Sequence, residues 1–446
     1  MKGFLDRVFK LRKNHTSAGR EISAGFATFL TMSYIIVVNP QILRAAGMPF
    51  SGVLFATVLV SAISSMAMGF YANLPYALAP GMGINAFFAY TLVLEMGIPW
   101  ETALGGIFVA GLVFVALSLT GARTEIVKAI PPSVRLGMAA GIGVFLSLIG
   151  LSSVGFVIPS RTTTVAFGGL NQTTLLFLIG LFATAILTAR RVKGAFTLGI
   201  VGMSILHLIL WEAGLWLGWD QVATAPIPGK IFSMPEADCL FHLDIQGALR
   251  IGMILPVFAL LFVDLFDSIG TFVGVAEVGG FVNKDGTPMR MGRALLVDAF
   301  STAISGVAGT SSGTVYVESA AGIKEGGRTG LTVVITGILF LPFIFVSPLI
   351  SLVPTVATAP VLVVAGLFMT QPLAKIRWED FEEAFPAFLT FVLIPLTFSI
   401  TQGVIWGFLS YTILKLAMGK RKEVHWIVYV IDLFILLDLF SRFLKR

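Results

Sequence analysis

Apolar runs of spanning length recur along the whole chain, and they constrain its fold more than any other feature. Examples are the runs 25–43, 50–70 and 102–120. A helix needs about 20 mostly apolar residues to cross the hydrocarbon core of a bilayer. Of the 446 residues, 56% are hydrophobic and only 12% are charged, which excludes an ordinary soluble domain. The sequence therefore predicts an all-α polytopic membrane protein with fourteen candidate transmembrane segments, several of them short or broken.

The basic residues predict the orientation of these segments. With the N-terminus in the cytoplasm, all but four of the 30 Lys and Arg residues fall on the cytoplasmic side. The four exceptions are Arg44, Arg161, Lys230 and Arg250. This positive-inside bias supports the span count and places both termini in the cytoplasm. It also explains the net charge of +6 by topology, so we expect no nucleic-acid partner.

A short internal repeat indicates how the spans are organised. The segment "IPPSVRLGMAAGIGVFLS" (130–147) aligns without gaps with "VPTVATAPVLVVAGLFMT" (353–370). The aligned pairs include Pro131 with Pro354, Gly143 with Gly366 and Phe145 with Phe368. Chance similarity between two apolar segments is the alternative. A repeat of seven spans would insert its second copy upside down, and such a 7+7 inverted repeat is a transporter architecture.

Two segments read as broken spans, the third and the tenth. "LPYALAPGMGINAFFAY" (74–90) becomes helical only after its second proline, and "GTSSGTVYVESAAGIKEGG" (309–327) holds a β-branched stretch before a short apolar segment. Each predicts a short strand leading into a half-helix, although ordinary surface loops are the alternative. Non-helical backbone at this depth must be buried in protein or line a cavity. We therefore expect the two segments to face each other in the interior.

Buried polar residues are the candidates for a site in that cavity. They are Asp264, Asp267, Asp298, Glu318, Asn39 and Asn85. A carboxylate at the centre of a spanning helix costs about 2.5–3.5 kcal/mol on insertion scales, so each one usually faces a cavity or a partner. Asp264 and Asp267, three residues apart, share one helix face. Several carboxylates close together titrate as a coupled set, which is the chemistry that a proton-coupled carrier needs.

Enzymatic readings of the same residues are weaker. "GTSSG" (309–313) matches the G-x-S-x-G signature, but that signature also requires a strand-to-helix turn with His and acid partners. Asp264 and Asp298 could be drawn as an intramembrane aspartyl protease, which leaves the broken helices unexplained. The single cysteine, Cys239, and the lack of paired His or Cys spacing support no metal site. We therefore predict no enzymatic activity, no metal and no cofactor.

Four segments resemble the signature segments of the AzgA-like branch of the nucleobase transporters. They are "TMSYIIVVNPQIL", "ALAPGMGINAFFAYT", "FVDLFDSIGTFVGVA" and "GTSSGTVYVESAAGIKEGGRTGLT". That branch carries hypoxanthine, adenine and guanine and belongs with the xanthine/uracil permeases. The resemblance implies proton symport of a purine base across the cytoplasmic (inner) membrane. It also implies an elevator-like movement in the lipid bilayer, and a homodimer as the common oligomeric state.

The resemblance also implies roles for individual residues. Asp264 and Glu318 would contact the purine, and Asn85 would help shape the site, with Gly83 and Ser319 beside them in the same motifs. Asp267 and Asp298, together with Glu318, would form the proton-linked network. Aromatic side chains near the site, namely Phe87, Phe266 or Tyr316, are candidates for stacking on the purine ring.

The family pattern also implies a division into two domains. A core domain would comprise residues 1–120 (spans 1–4) and 247–352 (spans 8–11). A gate domain would comprise residues 121–246 (spans 5–7 and an outer loop) and 353–446 (spans 12–14 and a C-terminal interfacial helix). The alternative within transport is a sulfate- or bicarbonate-type anion carrier or channel of the same architecture. Carboxylates at the site favour the purine carrier, because they would repel an anion.

Overall fold

The computed structural model describes residues 2–120, 130–212, 231–283 and 288–444, and these are predominantly helical. The helices of the first half are Lys2–Phe9 (α1), Ala18–Met32 (α2), Ile35–Arg44 (α3), Phe50–Ala67 (α4), Met82–Ala86 (α5), Trp100–Thr120 (α6), Pro132–Ser153 (α7), Gln172–Ala189 (α8) and Ala195–Glu212 (α9). Those that follow are Ile245–Ala248 (α10), Ile254–Gly279 (α11), Met291–Ala308 (α12), Ser319–Lys324 (α13), Leu331–Phe340 (α14), Ser347–Ile350 (α15), Thr355–Met369 (α16), Phe381–Leu396 (α17), Ile400–Ala417 (α18) and Trp426–Leu444 (α19). Segments of π-helix, Met68–Ala72 and Phe87–Glu95, extend α4 and α5.

The described residues include seven helical stretches that are long and apolar enough to span a membrane. They are Ala18–Arg44, Phe50–Ala72, Trp100–Thr120, Pro132–Ser153, Gln172–Ala189, Ile251–Ala276 and Thr355–Lys375. Four shorter apolar helices are Met82–Glu95, Ala195–Trp211, Leu331–Phe345 and Trp426–Leu436. The prediction of a polytopic helical membrane protein is confirmed, and the count of fourteen spans stays a prediction.

The two broken spans meet as short antiparallel strands. Leu78–Pro80 (β1) pairs with Gly313–Val315 (β4), so that Ala79 lies opposite Thr314. The backbone N–H of Gly81 donates to the carbonyl of Ser312 at 2.9 Å. Each non-helical segment thus pairs the backbone N–H and C=O groups of the other. This pairing avoids the cost of unpaired backbone groups at membrane depth. The strands and half-helices predicted for spans 3 and 10 are confirmed. A separate hairpin joins Val157–Ser160 (β2) to Thr164–Phe167 (β3).

The helices pack into two bundles, each built from both halves of the chain. In the first bundle, α6 packs against α12, and α14 packs against α2 and α4. In the second bundle, α7 packs against α16 and α17, and α17 packs against α18. The first bundle therefore combines the segments 2–120 and 245–350, and the second combines 130–212 and 355–444.

The internal repeat marks the centre of the second bundle. Helices α7 and α16 begin directly after Pro131 and Pro354, the prolines that the repeat aligns. The aligned glycines meet where the two helices cross. A β-carbon at Gly143 would lie 2.5 Å from the carbonyl oxygen of Gly366, and one at Gly366 would lie 2.3 Å from the carbonyl oxygen of Gly143. The repeat therefore has a structural counterpart, since each glycine permits the close approach of the other helix.

The C-terminal helix α19 packs one of its faces on α18. Val428, Ile431 and Ile435 are buried there, and Asp432 accepts a hydrogen bond from the Thr412 hydroxyl of α18 at 2.5 Å. A helix with one buried face and one exposed apolar face is compatible with the predicted position at the membrane interface.

Candidate functional site

The candidate site lies where the antiparallel strands β1 and β4 meet, between α11 and α12 of the first bundle. We term this meeting point of the two broken spans the crossing. Helix α11 carries two of the acidic residues, and the structure separates them. Asp264 is only 1% exposed, and its Oδ2 atom accepts hydrogen bonds from the hydroxyls of Thr302 at 2.7 Å and Ser312 at 2.8 Å. Asp264 therefore connects α12 to the segment that leads into β4.

Asp298 extends the same buried network. It is fully buried on α12, and it accepts a hydrogen bond from the Ser268 hydroxyl at 3.0 Å. The oxygen atoms of Ser268 and Thr314 lie 2.9 Å apart, so that these hydroxyls also share a hydrogen bond. Two carboxylates and several hydroxyls thus connect α11, α12 and β4. Such a network holds the strand crossing in place and places carboxylates where a proton could be bound or passed on.

Asp267 lies on the other side of the crossing and is partly exposed. Its Oδ2 atom would be 3.2 Å from a β-carbon at Gly81, the residue that precedes α5. The same β-carbon would meet the Thr314 methyl at 2.7 Å, so glycine is needed for this close approach. The half-helix formed by α5 and its π-helical extension begins directly after Gly81, so Asp267 lies near its positive N-terminal end.

Glu318 approaches the same space from the second broken span. It lies directly before α13, which packs against α11, and it is partly exposed. Its Oε1 atom accepts a hydrogen bond from the Tyr34 hydroxyl at 2.7 Å. Asp267 is close enough for its charge to be repelled by Asp298 and, more weakly, by Glu318. The adjacent Val317 is 57% exposed, so the chain next to Glu318 is not covered by other described residues.

The remaining predicted site residues, Asn85, Ser319 and Gly83, lie around this space in three different environments. Asn85 is fully buried and its side-chain oxygen accepts a hydrogen bond from Ser311, while its amide nitrogen has no partner among the residues that the structure describes. The Ser319 hydroxyl accepts from the backbone N–H of Ala77 at 3.0 Å. A β-carbon at Gly83 would lie 2.9 Å from Ile142 of α7, so Gly83 lies at the contact between the two bundles.

Two of the three aromatic residues predicted to stack on a ligand are buried in the apolar core. Phe87 is fully buried, and Tyr316 is nearly so, with its hydroxyl donating to the carbonyl of Pro80. The prediction for Phe266 concerns a side chain that lies outside the described ones. Phe87 and Tyr316 therefore shape the walls of the site in this conformation.

Sequence reasoning missed the neutral half of the site. Tyr34, which holds Glu318, lies far from it in the sequence, and its segment carries no charge that would draw attention. Thr302 and Ser312 bind Asp264 but are common residues in a chain rich in small polar groups. A signal existed only in the spacing of Asp298 and Thr302, which are four residues apart and therefore share one face of α12.

Within the described part of the chain, no group of three or more His, Cys, Asp or Glu residues could hold a metal ion. The site consists of carboxylates, hydroxyls and the ends of broken helices, at the junction of two bundles. Carboxylates accept N–H donors, and half-helix N-termini donate to electronegative atoms. The arrangement can therefore bracket a small planar ligand that presents both kinds of group.

The fold and this site define a polytopic membrane carrier with its site between two broken helices. A solved structure with the same fold is the transmembrane domain of a cyanobacterial bicarbonate transporter, BicA. It aligns with a TM-score of 0.64 and 16% sequence identity, covering 87% of this chain and 97% of that domain. This likeness is one of fold alone.

The chain belongs to the permease family whose model, Xan_ur_permease, matches residues 19–405. It is 40% identical over 439 residues to the adenine permease AdeP of Escherichia coli, covering 98% of this chain and 96% of that protein. It is 41% identical over 447 residues to the guanine/hypoxanthine permease PbuG of Bacillus subtilis, covering 98% of this chain and 99% of that protein. The predicted resemblance to the nucleobase permeases is confirmed, and so is the prediction of a carrier rather than an enzyme.

Proposed function

We propose that this protein imports purine nucleobases, namely hypoxanthine, guanine or adenine, across the cytoplasmic membrane. One observation carries the proposal: Asp267 and Glu318 are both partly exposed at the crossing of β1 and β4. A purine presents ring and exocyclic N–H donors along one edge and ring nitrogens along another. Two carboxylates can accept the donors while a half-helix N-terminus faces the acceptors. The names of AdeP and PbuG point to the same substrate class.

The structure favours a role for Asp267 that differs from the one implied by the sequence resemblance. Asp264 accepts hydrogen bonds from two hydroxyl donors, whereas Asp267 is partly exposed beside Gly81. We therefore propose Asp267 and Glu318 as the purine ligands. Asp264 and Asp298 then form the buried part of a proton-linked network that also includes these two carboxylates.

We further propose that the first bundle is the core domain, the second bundle is the gate domain, and the core moves against the gate in an elevator-like cycle. The packing supports this division, because each bundle draws helices from both halves of the chain. Proton symport is supported by several carboxylates within one low-dielectric site, since binding a proton relieves their mutual repulsion. Cytoplasmic termini follow from the positive-inside bias. A homodimer in the lipid bilayer is the proposed assembly.

An anion carrier is the second candidate, because the chain shares its fold with a bicarbonate transporter. The carboxylates argue against it. An anion entering this space would meet Asp267 and Glu318 with no described Lys or Arg side chain bonded to either one. Electrostatic repulsion in a partly buried site costs an anion far more than it would in water.

Uptake of radiolabelled hypoxanthine, guanine, adenine, uracil and sulfate in cells tests the proposal. We expect uptake of at least one purine, inhibition by a protonophore, and no uptake of sulfate. Uptake of sulfate alone would replace the purine proposal with the anion carrier. Loss of uptake only on removal of Na⁺ would overturn proton coupling.

Variants distinguish the proposed roles of the two aspartates of α11. We expect Asp267→Asn and Glu318→Gln to abolish purine binding to the purified protein, and Asp264→Asn to retain binding while slowing uptake. Asp238→Asn, the same change on an exposed loop carboxylate, is the matched control for expression and should behave as the unmodified protein. Loss of binding in Asp264→Asn, with normal binding in Asp267→Asn, would reverse the assignment.

A further inference from the structure

Tyr34 connects the candidate site to the other bundle. It lies between α2 and α3, directly before the first residue of α3, and only 1% of its surface is exposed. Its hydroxyl donates to Oε1 of Glu318 at 2.7 Å. A hydrogen bond donated to a carboxylate is stronger than one between neutral groups, so the phenol fixes the orientation of Glu318.

The ring of Tyr34 contacts the second bundle. It packs edge to face on Phe196 of α9, with ring centroids 5.2 Å apart and an angle of 72° between the planes. This is the arrangement that aromatic pairs prefer. The adjacent Ser33 shares a hydrogen bond with Thr197, their oxygen atoms being 2.8 Å apart. The same short stretch of the first bundle thus contacts two successive residues of α9.

The segment before α9 makes two more contacts with the first bundle. Gly194 has a φ of +71°, and a β-carbon there would lie 3.0 Å from the carbonyl oxygen of Leu30, so glycine permits this close approach. Lys193 forms an ion pair with Glu325, with Nζ and Oε1 2.7 Å apart. Glu325 follows α13, the half-helix that Glu318 precedes. Residues 193–197, which we term the contact segment, therefore touch the first bundle on both sides of Glu318.

We infer that Tyr34 is a positioning residue that links occupancy of Glu318 to the contact between the first bundle and the contact segment. The inference rests on the proposed function. A ligand that forms hydrogen bonds with the Glu318 carboxylate changes the hydrogen bond between this carboxylate and the Tyr34 hydroxyl. Because the same ring packs on Phe196, its movement changes the fit between the bundles. The link requires both the hydroxyl of Tyr34, which contacts Glu318, and its ring, which contacts Phe196. Each of these contacts can be altered alone.

Tyr34→Phe removes the hydroxyl and keeps the ring. We expect it to weaken purine binding about tenfold, as for the loss of one hydrogen bond to a charged group, and to abolish the effect of purine on the distance between the bundles. Tyr76→Phe is the matched control, since Tyr76 is equally buried and its hydroxyl has no partner among the described residues. Phe196→Leu keeps an apolar side chain at the other end of the contact. It should shift the distance distribution of the ligand-free protein and change purine affinity in step with that shift, because coupling between two sites is reciprocal.

The distance can be measured by pulsed electron paramagnetic resonance. Nitroxide labels at Lys13→Cys and Lys422→Cys, both exposed positions, report on the first and second bundles. The background carries Cys239→Ala, which removes the single native cysteine. In the otherwise unmodified protein, hypoxanthine should shift the distance distribution. A shift of the same size in Tyr34→Phe would overturn the inference, and so would a loss of the shift in Tyr76→Phe.

Charge reversal tests the contact segment without any ligand. Lys193→Glu should change the ratio of the distance populations about threefold, as expected for one surface ion pair, and so should Glu325→Lys. The double reversal should restore the original distribution, because it restores the opposite charges. Failure of the double variant to restore it would refute the contact. If the unmodified protein bound no purine, the proposed function would be wrong. The charge-reversal measurement would still test the contact between Lys193 and Glu325, because it needs no ligand.

Discussion

The crossing of α7 and α16 gives the sharpest prediction of stability. In Gly143→Ala, the new β-carbon would lie 2.5 Å from the carbonyl oxygen of Gly366 and 2.7 Å from Cβ of Met369. Non-bonded carbon contacts have their optimum at about 3.5–4.0 Å. The helices would therefore have to separate by roughly 1 Å at their crossing, because a backbone carbonyl in a helix cannot rotate away.

Two opposing terms set the magnitude. Overpacking of a well-packed interior costs about 1–3 kcal/mol, and the contact with backbone on the partner helix places Gly143→Ala at the upper end of that range. Alanine gains about 1 kcal/mol over glycine in a helix interior. The net loss of stability should therefore be about 2 kcal/mol.

A matched control lies in α9. A β-carbon at Gly202 would meet nothing within 4 Å, so Gly202→Ala should gain the helix-propensity term of about 1 kcal/mol and lose nothing. Heating each purified protein in detergent and measuring the monodisperse fraction by gel filtration ranks the variants. We expect Gly202→Ala to be at least as stable as the unmodified protein and Gly143→Ala to be clearly less stable. Equal stability of the two variants would refute the reasoning.

The double variant tests whether the two glycines act at one crossing. Gly366→Ala alone should also destabilise, since its β-carbon would lie 2.3 Å from the carbonyl oxygen of Gly143. One separation of the helices relieves both clashes, so the combined loss should be smaller than the sum of the single losses. Strictly additive losses would show that the two positions are independent and that the crossing is not the shared cause.

Two carboxylates at the ends of spans give further predictions. Hydrogen bonds from the backbone N–H of Gly247 and the hydroxyl of Thr102 hold the pKa of Asp244 below its ordinary value. This stabilisation is present above about pH 4, near the ordinary pKa, and is lost as the pH falls through the lower folded-state pKa. Asp244→Asn should therefore melt earlier at pH 7 and lose less on acidification, and parallel melting curves against pH would contradict this. Glu21 accepts two backbone hydrogen bonds near the start of α14 and one from the Thr332 hydroxyl at 2.6 Å. Glu21→Ala leaves these buried donors unpaired and should cost about 3 kcal/mol, whereas an unchanged melting temperature would show that water replaces the carboxylate.

Local signals in the sequence were sufficient to locate the two broken spans but not to orient the two aspartates. Proline and glycine marked the broken spans correctly, because these residues restrict or free the backbone wherever they occur. Asp264 and Asp267 are three residues apart, so they differ by only about 60° around a helix. Which of the two is covered depends on Thr302 and Ser312, which come from other elements. Helical periodicity locates a polar face, whereas tertiary packing decides which part of that face stays open.

Contacts at the two ends of the first bundle extend the inverted repeat beyond its recognisable sequence. The spacing that separates the repeat prolines also separates Glu21 from Asp244, so the repeat pairs these two carboxylates. Each accepts a hydrogen bond from a threonine in the first turn of a partner helix, Glu21 from Thr332 of α14 and Asp244 from Thr102 of α6. The predicted topology puts the two pairs on opposite sides of the membrane, as inversion requires. An acidic residue that binds the start of a neighbouring helix has thus been kept in both halves, although Glu stands in one and Asp in the other. The contact, rather than the residue, is what the two halves share.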